Sequence, residues 1–326
     1  MDLRGKRILV VGGAGFIGSH IVDQLTRTDV SEIVIYDNFC RGTRDNLANA
    51  LRDPRVSVFP IGGDILQTDI LTKAMVGIDG VFHLAALWLL QCYDYPRSAF
   101  DVNIRGTFNV IEAAVAAGVK RVVYSSSASV YGNALELPMT ESHPYNNDTF
   151  YGATKIAGEH MFQSLGKRYG LPWVGLRYMN VYGPRQDYKG TYTAVMHKVL
   201  DRIESGQSPQ VYGDGSQCYD FIDVSDVARA NILAMQSDSS ATCYNVGRGI
   251  GTSIKELTEL LLRLSGTELP IEYLPQGQTF VTNRIGCPRR AEKELGFKWR
   301  VGLEEGMAGL ISWRKSKQSL SPLVPA

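Results

Sequence analysis

The sequence predicts an α/β protein built on a doubly wound parallel sheet, with a smaller C-terminal lobe. Three observations carry that prediction. Short aliphatic runs alternate with helical patterns through the first half of the chain. A glycine-rich turn, GGAGFIG, joins the first of those runs to the first helical pattern. Hydrophobic residues are 44% of the 326 and charged residues 21%, the balance of a chain that packs a core.

The elements follow in order. Residues 8–11 read as a buried strand ending in glycines, and residues 16–27 as the helix after it. Residues 33–36, 56–60, 81–84 and 119–125 read as further strands, the last two separated by a long helical pattern over about 98–117. Strands separated by helices of this length call for a parallel sheet covered on both faces, with right-handed crossovers. Beyond them, 151–169 reads as a helix, 174–176 as a strand, 193–205 as a helix and 206–215 as turns. Residues 253–264 form an amphipathic helix with Ile254, Leu257, Leu260, Leu261 and Leu264 on one side. Shorter helical pieces are expected over 291–295 and 303–313, and the tail 316–326, with two prolines, is expected to fray. The expected organisation is a dinucleotide-binding domain over 1–175 and a lobe drawn mainly from 176–315, with some segments returning to the core domain.

Composition narrows the function classes. With 34 basic and 33 acidic residues the formal charge is +1, so no global field draws the chain to nucleic acid or membrane, although a local basic patch stays open. No stretch approaches the roughly 20 apolar residues of a spanning helix. The apolar run near the start flows into glycines, so no signal peptide is expected. The cysteines (Cys40, Cys92, Cys218, Cys243, Cys287) are scattered and odd in number, which reads as reduced thiols in a cytoplasmic protein. The histidines (His20, His83, His143, His160, His197) have no metal-ligand spacing, so no metal site is expected.

The glycine turn is the first functional signal. Gly12 permits a tight turn, Gly15 lets the backbone approach a pyrophosphate, and Gly18 lets the helix pack on the strand. The helix start, at Phe16 and Ile17, offers unpaired N–H groups to phosphates. A glycine triplet alone is weak, but the strand–turn–helix context marks a Rossmann-type dinucleotide site. Asp37, with Asn38 after it, closes the second strand 19 residues beyond Gly18. A carboxylate there accepts ribose hydroxyls and repels a 2′-phosphate, which favours NAD; Arg41 and Arg44 nearby leave NADP open. Asp64 and Ile65 follow the third strand, placed either to bracket adenine or, for Asp64, to cap a helix. Leu84, Ala85 and Ala86 end the fourth run, where small residues let a cofactor ribose lie close; His83 reads as a core histidine.

Tyr151 and Lys155 stand four residues apart in FYGATK, on one face of a helix. An ammonium beside a phenol favours the phenolate, and a bound nicotinamide cation would add to that. Such a tyrosine exchanges a proton with an alcohol, although its free pKa is about 10. Ser127 lies at the exit of the fifth strand, where its hydroxyl reaches the same substrate oxygen.

Together these residues resemble the extended short-chain dehydrogenase/reductases, specifically their NAD-dependent nucleotide-sugar epimerase/dehydratase family and the UDP-hexose 4-epimerase type within it. The resemblance runs from about Arg7 to Trp313 and rests on GGAGFIG, YDN, GDI, HLAA, VNIRGT, SSSASVYG, YGATK, RYMNVYGPRQ, YGDGSQ, DFIDVSDVA and YNVG. It implies Tyr151 as acid/base, Lys155 as its modulator and ribose ligand, and Ser127 as the hydroxyl-binding residue. It further implies that Asn103 orders the cofactor region and that Tyr178 lies near the nicotinamide. Asn180, Arg185, Gln186, Tyr212, Tyr219 and Arg284 are implied at the nucleotide-sugar crevice, Arg284 as a diphosphate-binding arginine. A homodimer through helices 98–117 and 151–169 is implied too, with Ala113, Ala114, Ala116 and Ala117 compatible with such a face.

Two departures stand out. Tyr219 occupies a position where the family usually has arginine, and the loop after HLAA reads Leu87, Trp88, Leu89, Leu90. Those apolar residues either pack the fold or let Trp88 wall a neutral hexose. Family dehydratases carry an Asp-Glu pair just after the serine position; here Ala128 and Ser129 stand there. The expected reaction is therefore C4 epimerisation of a nucleotide-linked hexose, probing first UDP-sugars. The alternatives are a nucleotide-linked 4-ketosugar reductase and, from another class, a non-catalytic dinucleotide-binding regulator.

Overall fold

The computed structural model describes residues 1–187, 194–276 and 282–319. Its first half alternates strand and helix: β1 (Arg7–Val11), α1 (Phe16–Leu25), β2 (Glu32–Tyr36), β3 (Val56–Val58), α2 (Thr68–Ala74), β4 (Gly80–His83), α3 (Leu89–Asp94), α4 (Pro96–Ala99), α5 (Thr107–Ala116), β5 (Arg121–Ser127), α6 (Phe150–Tyr169) and β6 (Trp173–Tyr178). The long helix expected over 98–117 is not uniform: a π-helical segment, Phe100–Gly106, joins α4 to α5.

The second half adds β7 (Asn180–Tyr182), α7 (Val195–Glu204), β8 (Gln210–Tyr212), β9 (Cys218–Tyr219), β10 (Phe221–Asp223), α8 (Val224–Gln236) and β11 (Thr242–Val246). It continues through β12 (Thr252–Ser253), α9 (Ile254–Ser265), β13 (Glu272–Leu274), β14 (Asn283–Arg284), α10 (Arg289–Leu295) and α11 (Leu303–Ser319). The first residues of the tail expected to fray therefore continue a helix, and residues 320–326 lie outside the described residues.

Seven strands form the main sheet in the order β11-β6-β5-β4-β1-β2-β3, and every pairing in it is parallel. The chain runs outward from β1 to β3, then restarts at β4 on the other side of β1. That reversal opens a crevice at the carboxyl ends of β1 and β4, where ligands bind in such sheets.

Alternation along each strand builds two cores. Ile8 and Val10 of β1 face one side with Ile21, Val22 and Leu25 of α1 and Val227, Ala230 and Ala234 of α8. Leu9 and Val11 face the other with Leu71 of α2, Val110 and Ile111 of α5 and Phe162 of α6. The two-residue period of a strand sends neighbours to opposite faces, so a sheet covered on both sides needs continuous aliphatic runs. A third core holds the lobe: Met196, Val199 and Leu200 of α7, Leu257 and Leu261 of α9, and Met307 and Leu310 of α11. Ser253 and Glu256 cap α9 reciprocally, and Gly266 ends it at φ 69°. Thus α8 and β11, drawn from the second half, complete the first domain.

Ala113 and Ala114 belong to the second core at 3% and 0% exposure, whereas Ala116 is exposed and Ala117 half-buried. The small size of the buried two lets α5 lie close on the sheet. Among the described residues no helix is long and apolar enough to cross a membrane. The five cysteines are free thiols.

Candidate active site

The glycine turn separates its three glycines by what each one meets. Gly12 has φ +83°, and a Cβ there would lie 2.8 Å from the Ala85 amide nitrogen. A Cβ on Gly18 would lie 2.1 Å from the Gly12 carbonyl. Both are glycine because the protein's own backbone leaves no room. A Cβ on Gly15 would meet only the Gly12 oxygen, at 3.3 Å, so this glycine leaves open space on the ligand side. Gly15 is also the N-cap of α1 and has no side chain to cover the amides that begin at Phe16 and Ile17.

Asp37 lies at the end of β2, 8% exposed. Its Oδ2 accepts from the Ala14 amide at 2.9 Å and its Oδ1 from the Phe39 amide at 2.8 Å. Burial pushes its pKa up, against these hydrogen bonds. The Gly15 amide also bonds this carboxylate, which leaves one of its roughly four acceptor sites. Asn38 is turned to the Cys40 amide. Asp64 accepts from the Leu66 amide at 2.9 Å, while Gln67 occupies the N-cap of α2, so Asp64 does not cap that helix. Ile65 is buried against Gly106, and its carbonyl accepts from Asn109 at 2.9 Å. Leu84 and Ala85 both donate to the Val11 carbonyl, and Ala86 follows at the mouth of the crevice. The open side of Gly15, the uncovered α1 amides and the Asp37 carboxylate fit NAD. Arg41 and Arg44, which left NADP open, stack on Trp88 and Phe39 with guanidinium-to-ring distances of 5.1 and 5.5 Å.

The reacting side chains come from β5 and α6. Ser127 begins a tight 3₁₀ turn, where its hydroxyl accepts from the Ser129 amide at 3.1 Å and lies within hydrogen-bond reach of Tyr151. Thr149 caps α6 through the Gly152 amide at 3.1 Å. Gly152 matters for a second reason: a Cβ there would lie 2.5 Å from the Ser129 carbonyl and closer still to the Asn147 amide. Its absence seats the first turn of α6 against the serine turn and brings Tyr151 beside Ser127.

Burial dominates the electrostatics of the pair. Lys155 donates to the Ser125 carbonyl at 2.8 Å and lies 5.7 Å from the Tyr151 ring centroid. Burial outweighs every favourable charge on Tyr151 and pushes its pKa up to about 12; the hydrogen bond from Ser127 and the charge of Arg284 act in the opposite sense. Burial brings the Lys155 pKa down to about 8.

Asn103 is 2% exposed within the π segment and acts as a clamp. Its Oδ1 accepts from the Leu87 amide at 2.7 Å, and its Nδ2 donates to the Leu87 carbonyl at 2.9 Å and to Thr154 Oγ1 at 3.1 Å. It thus ties the loop after β4 to the residue beside Lys155. Tyr178 is buried between Ser125 and Asn231, its hydroxyl 2.9 Å from each partner. His83 is a core residue, 3.0 Å from Thr107 Oγ1, with its pKa pushed down to about 3 by burial.

The expected substrate residues divide. Arg284 reaches the catalytic turn, with Nη1 3.4 Å from Ser129 Oγ, and burial lowers its pKa to about 10. Strand register sets it opposite Tyr219. Asn180 opens β7, and Tyr212 ends β8 at 55% exposure. Arg185 and Gln186 each have a partner in the scaffold. Arg185 pairs with Asp23 of α1 at 2.6 Å, and Gln186 accepts from His197 of α7 at 3.2 Å. Arg185 Nη2 makes the pair with Asp23, while its Nη1 is buried with no hydrogen-bond partner among the described residues. Trp88 was expected either to pack the fold or to wall the hexose; one face of its ring is covered by Arg41.

One group escaped the sequence reading. Glu159 and Arg177 form a pair at 2.7 Å, 4% and 6% exposed, and Ser126 and Tyr145 also donate to the same carboxylate. Glu159 lies four residues beyond Lys155, so the continuation of the Tyr151–Lys155 face by a carboxylate was the available signal.

Fold and site together define an extended short-chain dehydrogenase/reductase. The chain belongs to the NAD-dependent epimerase/dehydratase family, whose profile matches residues 8–247, and its cofactor is NAD. It is 32% identical to a UDP-glucose 4-epimerase of Mycolicibacterium smegmatis over 95% of this chain and 99% of that one. A UDP-N-acetylglucosamine 4-epimerase of Methanobrevibacter ruminantium, solved with UDP-N-acetylmuramic acid, matches with a TM-score of 0.90 and 34% identity over 96% of this chain and 99% of that one. A dTDP-glucose 4,6-dehydratase of Streptomyces venezuelae, solved with NAD bound, matches with a TM-score of 0.88 and 28% identity over 97% and 99%.

Proposed function

We propose that this protein epimerises C4 of a UDP-linked hexose through a transient 4-keto sugar. The observation that carries the reading is the Ser127–Tyr151 pair beside Lys155, followed by Ala128 and Ser129. Elimination of water across C5 and C6 needs an additional acid and base, and an alanine at 1% exposure beside a serine supplies neither. That distinction favours epimerisation over the dehydratase chemistry named for one relative.

NAD, when bound, supplies the hydride acceptor and donor and a positive charge that favours the Tyr151 phenolate. Gly15, the α1 amides and Asp37 hold it. Ser127 positions the C4 oxygen, Tyr151 takes its proton and later returns it, and Lys155 orients the nicotinamide ribose. The proton removed in the first half-cycle is restored in the second, so the product is an isomer of the substrate. Arg284, Tyr219, Tyr212 and Asn180 form the nucleotide-sugar side. We further propose a cytoplasmic homodimer; the exposed Tyr93, Tyr95, Phe100 and Phe108, on and beside the α3–α5 stretch, provide large apolar surface for it.

The test is a panel of UDP-hexoses with the product followed by NMR: glucose/galactose, the N-acetylated pair and the glucuronate/galacturonate pair. Interconversion at C4 with no net consumption of cofactor is expected. Loss of water, or a stoichiometric demand for NADPH with a 4-keto substrate, would overturn it.

A further inference from the structure

The loop after β2 does more than end in the ribose-facing Asp37. A Cβ on Gly42 would lie 2.7 Å from the Ala14 backbone, so this loop presses directly on the glycine turn. The Ala14 carbonyl accepts from the Thr43 amide at 3.2 Å and from Asn46 Nδ2 at 2.9 Å, while the Ala14 amide is held by Asp37. Arg41 is therefore anchored by its neighbours immediately beside the surface where a pyrophosphate lies in this fold.

From there Arg41 reaches two other parts of the molecule. Its guanidinium lies 5.1 Å from the centre of the Trp88 ring, in the loop after β4. Its Nη2 lies 3.4 Å from Asp187 Oδ2, in the loop after β7. In the sheet β2 and β4 are the two neighbours of β1. A contact between the loops that follow them must pass across the carboxyl end of β1, over the glycine turn. The same arginine joins that bridge to the lobe.

We propose that Arg41, stacked on Trp88 and paired with Asp187, is a strap across the pyrophosphate groove that sets how long NAD stays bound. This deepens the proposed epimerase cycle, in which cofactor released between half-reactions would strand the keto sugar. It also gives the apolar loop after HLAA a use on the cofactor side. Arg41 is spent on an indole and a carboxylate, and Trp88 supplies the flat face that a planar guanidinium covers.

The experiment loads the full-length protein with radiolabelled NAD and chases it with excess unlabelled NAD, for wild type, R41A, W88A, W88F and D187N. R41A and W88A are expected to shorten the NAD dwell time about tenfold, the scale of a partly covered cation–π contact. W88F keeps a ring and is expected within about threefold of wild type, with D187N between. Arg41 is on an exposed loop, so R41A gives the answer even where W88A fails to fold. Equal dwell times in wild type and R41A would sink the strap and leave the proposed reaction standing. Conversely, a wild type that makes no C4 epimer but releases label more slowly than R41A would sink the reaction and leave the strap. If R41A loses only NADP(H) binding and holds NAD as long as wild type, Arg41 reads a 2′-phosphate and the strap is wrong.

Discussion

Tyr151, Asp37 and Gly15 stand at or beside the ends of regular elements in the cofactor half. Arg185 and Gln186, in the loop that leads to the lobe, belong to equally recognisable sequence, yet the first is locked to Asp23 and the second to His197. The difference lies in what surrounds each group. Residues at the ends of regular elements have their backbone satisfied by ladder or helix, and Asp37 spends its carboxylate on fixing the glycine turn and its own loop. A polar residue in an irregular loop is more often consumed in holding that loop down.

Four measurements would break or sharpen that contrast. The largest effect is expected for Y151F, which should lower kcat by about 10²–10⁴-fold while bound NAD and the melting temperature stay near wild type. In R185M the opposite pattern is expected: KM nearly unchanged and stability down by about 1 kcal/mol, because Asp23 loses its partner at a half-buried site. A Y151F enzyme above half the wild-type rate, or an R185M enzyme whose KM rises tenfold at constant stability, would reverse the assignment of the two regions.

Next comes E159Q, which leaves the Arg177 guanidinium buried beside a neutral amide. The expected loss is about 3–5 kcal/mol in urea unfolding, as for other broken buried pairs. A loss below about 1 kcal/mol would show that Tyr131, which also accepts from Arg177, suffices to hold that charge.

The glycine turn gives the third. G18A forces a methyl into the Gly12 carbonyl and should cost about 1–3 kcal/mol of stability even without cofactor. G15A should leave the cofactor-free melting temperature near wild type and weaken NAD binding. Calorimetry separates the two, and equal destabilisation of both apoproteins would mean that Gly15 is as enclosed as Gly18.

The smallest effect is in the pH dependence. Burial lowers the pKa of His20 in the cofactor half and of His197 in the lobe to about 4 each, from 6.5. The unfolded chain then binds more protons than the folded one between those values. Stability should fall as pH drops from about 6.5 towards 4, by at most about 1.4 kcal/mol per pH unit for each histidine. H197Q should flatten the slope by one histidine's share; an unchanged slope would place the acid sensitivity elsewhere.

Periodicity and turn chemistry determined much of this protein from sequence. The aliphatic runs of β1 and β2 are continuous because both faces of their sheet are buried, so they are readable without knowing what buries them. The glycine spacing and the Tyr151–Lys155 spacing are likewise local geometry, and local geometry is written in neighbouring residues. The sequence reading missed α8, whose N-cap Asp223 and apolar Val227, Ala230 and Ala234 are visible in the sequence but whose place against α1 is not. What only the tertiary structure decided was how distant groups divide their partners. Asn103 holds Leu87 and Thr154, Glu159 holds Arg177, and Arg41 lies over Trp88. It also decided that burial acts on the Tyr151 phenol more strongly than Ser127 or Arg284 does. Desolvation and long-range pairing depend on which segments the fold brings together, and no spacing along the chain specifies that.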